Sequence, residues 1–169
     1  WSSLMRWRSS RPWGTPWVPL GFTQEGMEYE VSMDYEDIEV DQALLPVLSL
    51  ASGMEVMGRT TLAEYKPANI LVGVGQGEVS TEAADEGTRG WNEYSLTTDI
   101  VDTYYSLGFD FKKNDDGEPI RGIIWKARPV GGVSSTFGVS DQNPAVPVEM
   151  KGFPDTSVSP GRILSIRDH

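Results

Sequence analysis

Over residues 27–35 the chain alternates without a break. Met27, Tyr29, Val31, Met33 and Tyr35 hold one parity, and Glu28, Glu30, Ser32 and Asp34 hold the other. Period two belongs to a strand, whose successive side chains leave opposite faces; a helix would scatter these apolar groups around its cylinder. The stretch therefore predicts a strand with one apolar face and one face coated in carboxylate. At Asp37 the pattern slips: Ile38 and Val40 become the apolar positions, with Glu39 and Asp41 between them. A one-residue phase shift inside a strand marks a bulge or bend. A curving ribbon over 27–41 is expected, with Glu28, Glu30, Asp34, Glu36, Glu39 and Asp41 kept on one side. Residues 26–42 hold seven of the 25 acidic residues and no basic one, so the sequence offers this wall of charge no local partner.

The rest of the chain points the same way. Gly and Pro number 18 and 11 among 169 residues, a composition of short strands and frequent turns, and the length suits one domain. Strands are expected over 54–62, 100–112 and 119–128, the last two flanking the turn sequence NDDGE as a hairpin. Shorter strands are expected in VSSTFGV and AVPVEMKGF. One helix is expected near 66–74, where Pro67 suits the first helical position, Ile70, Leu71 and Val74 form an apolar stripe, and Gly73, Gly75 and Gly77 end it. Residues 76–90 are polar and acidic and read as a loop.

Two segments stand apart. Residues 1–19 contain Arg6, Arg8 and Arg11, no acid, three prolines and four of the six tryptophans. They read as an extended arm preceding a domain of residues 20–169. Stacked Trp and Arg suit single-stranded nucleic acid; the plainer role for Trp7, Trp13 and Trp17 is as anchors on a neighbouring surface. Residues 42–53 crowd Leu44, Leu45, Val47, Leu48 and Leu50 around Pro46. Proline weakens both a helix and a central strand, leaving a core segment or an apolar loop that finds its partner on another subunit.

Catalytic chemistry has little to work with. The single histidine, His169, is the last residue, and the absence of cysteine removes disulfides and thiolate metal sites. NDDGE lacks the ligand spacing of a calcium loop, and GVGQG lacks the lysine and the strand-loop-helix setting of a phosphate loop. The acids of 28–41 are too many and too regular to single out a hydrolytic pair. The expectation is no enzyme, no cofactor and no metal. A net charge of −11 also argues against a simple cationic nucleic-acid binder. No apolar run has the length of a membrane span and no signal-peptide pattern is evident.

The segments WVPLGFTQEGMEYEVSMDYEDIEVDQALLPV and TTLAEYKPANILVGVG resemble the tail tube (major tail) proteins of long-tailed bacteriophages. Leu20, Gly21, Thr23 and Gly26 match that family's opening. Glu36 to Gln42 match its acidic strand centre, and Leu62, Ala63 and Glu64 the approach to its helix. The match covers roughly residues 17–75; the Trp- and Arg-rich start has no counterpart in it. The resemblance implies two packed β-sheets, a sandwich or partial barrel, flanked by one short helix. It implies hexameric rings stacked into a hollow tube that delivers the genome, assembled in the host cytoplasm and resident in the virion tail. Its partners would be further copies of the chain, a tape-measure protein, tail-end proteins and DNA passing without specific binding, with no membrane. It sets the six acidic residues in the lumen, where they repel phosphate. The alternative is a carbohydrate-binding β-sandwich, a virion decoration or adhesion module, using Trp91, Tyr94, Tyr104, Tyr105 and Trp125 as stacking surfaces.

Overall fold

The computed structural model describes residues 4–9, 17–39, 46–112, 119–135 and 144–167, with 4–9, 111–112 and 119 described by their backbone. The alternating segment is strand β2 (Val18–Ile38), which runs antiparallel to β3 (Leu48–Leu62); β1 (Leu4–Ser9) lies on its other side. The expected start of β3 at residue 54 is corrected. Residues 48–53, read as part of an apolar loop, are already paired with β2, because the backbone groups of so long a strand need partners. The expected bend at Asp37 also lies elsewhere. Asp34 opposes Gly53 while Tyr35 opposes Ala51, so the extra residue is Ser52, on the partner strand. A second irregularity between Thr23 and Met27 is held by Gly26, whose φ is 87° and whose carbonyl accepts the Thr60 hydroxyl at 2.6 Å.

Further along the chain come β4 (Glu78–Glu82), β5 (Trp91–Ser95), β6 (Tyr105–Lys112), β7 (Pro119–Pro129), β8 (Val146–Gly152) and β9 (Leu164–Arg167). Seven strands form one antiparallel sheet in the order β6-β1-β2-β3-β8-β7-β9, and β6 also pairs with β7. That pairing joins the ends of the sheet into a closed ring of six strands, with β9 beside β8 on the remaining edge of β7. The chain is mainly β, as the alternation implies. The expected pair of packed sheets is not what encloses the core: a sheet that meets its own edge buries its apolar face against itself and leaves few edge groups unpaired. The only second sheet among the described residues is the β4–β5 ribbon. It occupies part of the expected loop 76–90; every side chain of β4 is exposed, so its strand nature leaves no apolar alternation to read. Residues 100–104, expected as strand, are irregular, as are 133–135 of the expected VSSTFGV strand, the remainder of which lies outside the described residues.

The core sits inside the closed sheet. Leu20, Leu62, Leu107, Ile124, Val146 and Met150 are at most 2% exposed. On β8, Val146, Val148 and Met150 point inward between Pro147, Glu149 and Lys151. Helix α1 (Pro67–Val74) covers one end of this core. It starts at Pro67 and stops where Gly75 takes a left-handed φ of 73° and donates its N–H to the Leu71 carbonyl at 2.7 Å, as the Pro and Gly positions imply. Buried Asn69 ties the helix to the sheet, its Nδ2 donating to the carbonyls of Leu20 (3.0 Å) and Glu64 (2.7 Å). Among the described residues no helix is long and apolar enough to cross a membrane.

Candidate functional site

The site begins where the closed sheet ends. β8 accompanies β3 only over residues 56–62, and β1 accompanies β2 only over 18–22. Beyond those points β2 and β3 continue, among the described residues, as a two-stranded ribbon. Among the described residues, each strand has one edge of N–H and C=O groups with no strand beside it: residues 23–38 on β2 and 48–55 on β3.

The two faces of the ribbon differ in kind. Direct cross-strand partners share a face, so Tyr29/Gly58, Val31/Val56 and Met33/Met54 stand on one side. At its base this side belongs to the core: Val56 is buried, Met27 packs against the core cluster, and the Tyr29 ring stacks on Phe109 at 6.2 Å. Further out the same stripe runs past the end of the core. Val31 is 47% exposed, Met33 44%, Met54 53% and Tyr35 64%.

The other face carries the acids. Glu28, Arg59 and Glu149 form one row across β2, β3 and β8, and Glu30, Met57 and Lys151 form the next. The Arg59 guanidinium lies 2.8 Å from Glu30, 2.9 Å from Glu149 and 3.8 Å from Glu28. The hydrogen bonds it donates to Glu30 and Glu149 push its pKa above the ordinary arginine value. Lys151 pairs with Glu55 at 2.7 Å. The base of the acidic wall is therefore partly neutralised from distant strands, which no local reading of 26–42 reveals. The outer part is not: Asp34 and Glu36 have no ion-pair partner among the described residues. Asp34 lies across Gly53, where an added Cβ would meet its carboxylate at 3.0 Å.

Of the residues singled out from sequence, Glu28, Glu30, Asp34 and Glu36 share this face, and Glu39 follows the end of β2. Asp41 lies outside the described residues. Past the Ser52 bulge, Leu48 opposes Ile38 and Leu50 opposes Glu36, so both leucines stand on the acidic face near its tip. Val47, Leu48 and Leu50 are each about half exposed. Leu44, Leu45 and Trp13 lie outside the described residues. Trp7 is in β1 and Trp17, half-buried, precedes β2. Arg59, Glu149 and Lys151 were missed; the one available signal was alternation of charged and apolar residues in VPVEMK of β8, whose register against β3 is not local.

The aromatic residues of the carbohydrate alternative do not form a common open platform. Tyr105 is buried, the Tyr94 hydroxyl donates to the Gln76 carbonyl, Tyr104 lies under Lys126, and Arg162 covers Trp125 at 3.3 Å. No group of residues fit to hold a metal ion occurs among the described residues. No family model matches the chain, and no curated protein matches it.

Proposed function

We propose that this chain is a structural subunit that assembles with copies of itself into stacked hexameric rings, forming the hollow tail tube of a long-tailed bacteriophage, with the acidic face of the β2–β3 ribbon turned to the lumen. The observation that carries the reading is the ribbon itself. It has two open edges on opposite sides, an apolar stripe too exposed to serve a monomer, and carboxylates on the face away from that stripe. Open edges of this length are sites of strand addition. Joining the β3 edge of one copy to the β2 edge of the next is a head-to-tail contact, and such contacts close into rings when the rotation permits. Repetition around a ring would set the acidic faces side by side. A lumen of carboxylates repels DNA phosphates, whereas cations would hold the strand through counterion release.

Electron microscopy of the purified protein across a concentration and salt series tests this. Rings or tubes with an open axial channel are expected. A monodisperse monomer under all conditions would remove the reading.

A further inference from the structure

The chain has six methionines and no cysteine, so thioethers are its only sulfur. Two of them share one position on the ribbon. Met33 of β2 lies directly opposite Met54 of β3, and the two are 44% and 53% exposed. Direct partners across an antiparallel pair set their Cβ atoms about 4.5–5.5 Å apart, so both thioethers belong to one patch of the apolar stripe. Val31 and Val56 lie on one side of that patch, and Tyr35 and Ala51 on the other, past the Ser52 bulge. The other methionines whose side chains are described are placed differently. Met150 is fully buried, Met27 packs against the core, and Met57 is half-buried between Glu30 and Lys151 on the acidic face.

Valine and tyrosine, the neighbours in the stripe, are types that a pleated surface favours. Methionine has no such preference. It supplies an unbranched, polarisable side chain that fits an irregular apolar contact, and a sulfur that accepts oxygen. Hydrogen peroxide supplies that oxygen. The Sδ lone pair attacks one peroxide oxygen, and the S–O bond forms as the O–O bond breaks. The sulfur is oxidised by two electrons; the departing hydroxide takes the proton of the transferred oxygen and leaves as water. The product sulfoxide is polar, which disrupts apolar contacts built on methionine. Position decides the consequence. The pair lies past the end of the core, so in the single chain a sulfoxide there stays in water. It would be stripped of water only when a neighbour covered the stripe.

We infer that Met33 and Met54 form a modification site at which oxidation to the sulfoxide switches self-association off while the single chain stays folded. The inference rests on the reading that a second copy covers this stripe. Dilute hydrogen peroxide on the unassembled chain, followed by peptide mass spectrometry, tests the site. Met33 and Met54 should be oxidised before Met27 and Met57, and at least about tenfold faster than Met150. The circular-dichroism melt should not move. Oxidation of Met150 at the same rate, or unfolding once the pair is oxidised, would overturn the inference. Sedimentation velocity over a dilution series tests the consequence. The oxidised chain should need a concentration at least about tenfold higher to assemble, as expected for one polar acceptor buried without a partner. Treatment with the two methionine sulfoxide reductases, one for each epimer, should restore the starting value. A Met33→Leu/Met54→Leu variant should have the same critical concentration before and after peroxide. An oxidised parent chain that assembles as before, or a variant as sensitive as the parent, would overturn the inference and leave the tube reading in place. A chain that fails to assemble even before oxidation would overturn both.

Discussion

Val31 and Met33 stand where the ribbon leaves the core, 47% and 44% exposed, and replacing both with threonine separates folding from assembly. Threonine is β-branched and favours a pleated surface, so the β2–β3 pairing should persist. Burying a whole side chain of this size is worth about 1.5–3 kcal/mol, and a little over half of each is already covered in the single subunit. What remains for a neighbour is about 0.7–1.4 kcal/mol per side chain, or about 1–2 kcal/mol for the pair after allowing for the methyl group each threonine retains. At about 1.4 kcal/mol per decade, the critical concentration for assembly should rise about five- to thirtyfold. Sedimentation velocity over a dilution series measures that concentration, and a circular-dichroism melt of the unassembled chain checks the fold. An unchanged critical concentration with an intact fold would refute the argument that the stripe is covered by a second copy. Collapse of the unassembled fold would refute the premise that these residues lie outside the core.

Changing Glu30, Asp34 and Glu39 to Lys should permit tube formation while slowing passage of DNA; normal release from particles carrying the triple change would contradict the electrostatic account of this face. Wild-type assembly should improve with salt up to about 0.1 M, where charges more than about 10 Å apart are screened, as scattering at stepped ionic strength would show. Ile124→Ala empties a fully buried position and should lower stability by about 2–5 kcal/mol, measured by urea unfolding of the unassembled chain. The Asp155 carboxyl is held below its ordinary pKa by the Ser157 hydroxyl at 2.6 Å, then by the Ser157 N–H and Arg162. A lowered folded-state pKa means its contribution is complete above the unfolded value of about 3.9 and is lost as pH falls through the lower folded value. Asp155→Asn should therefore reduce the loss of stability on acidification below about pH 4 relative to the parent chain, as denaturant titrations at stepped pH would reveal.

The features that follow from short-range patterning were legible in the residues alone. Alternation over 27–35 makes β2 and its two unlike faces, because side-chain direction along a strand depends only on parity. Pro67 and Gly75 bound α1 because each acts through its own backbone geometry. β6 and β7 pair as the two flanking strand patterns imply, while the NDDGE stretch between them lies outside the described residues. Other features required partners far apart in the chain. The start of β3 at Leu48 and the bulge at Ser52 depend on which residues of β2 lie opposite, and nothing within 42–53 states that register. Ring closure through β6 and β7 turns on where the two ends of a twisted sheet meet. The relief of Glu28 and Glu30 comes from Arg59, on β3, and the further pairing with Glu149 comes from β8. The exposure of Val31 and Met33 is decided by where β8 stops, since the apolar pattern is the same on both sides of that boundary. A strand's period is a property of its own residues, whereas what covers each face is settled only when the sheet is assembled.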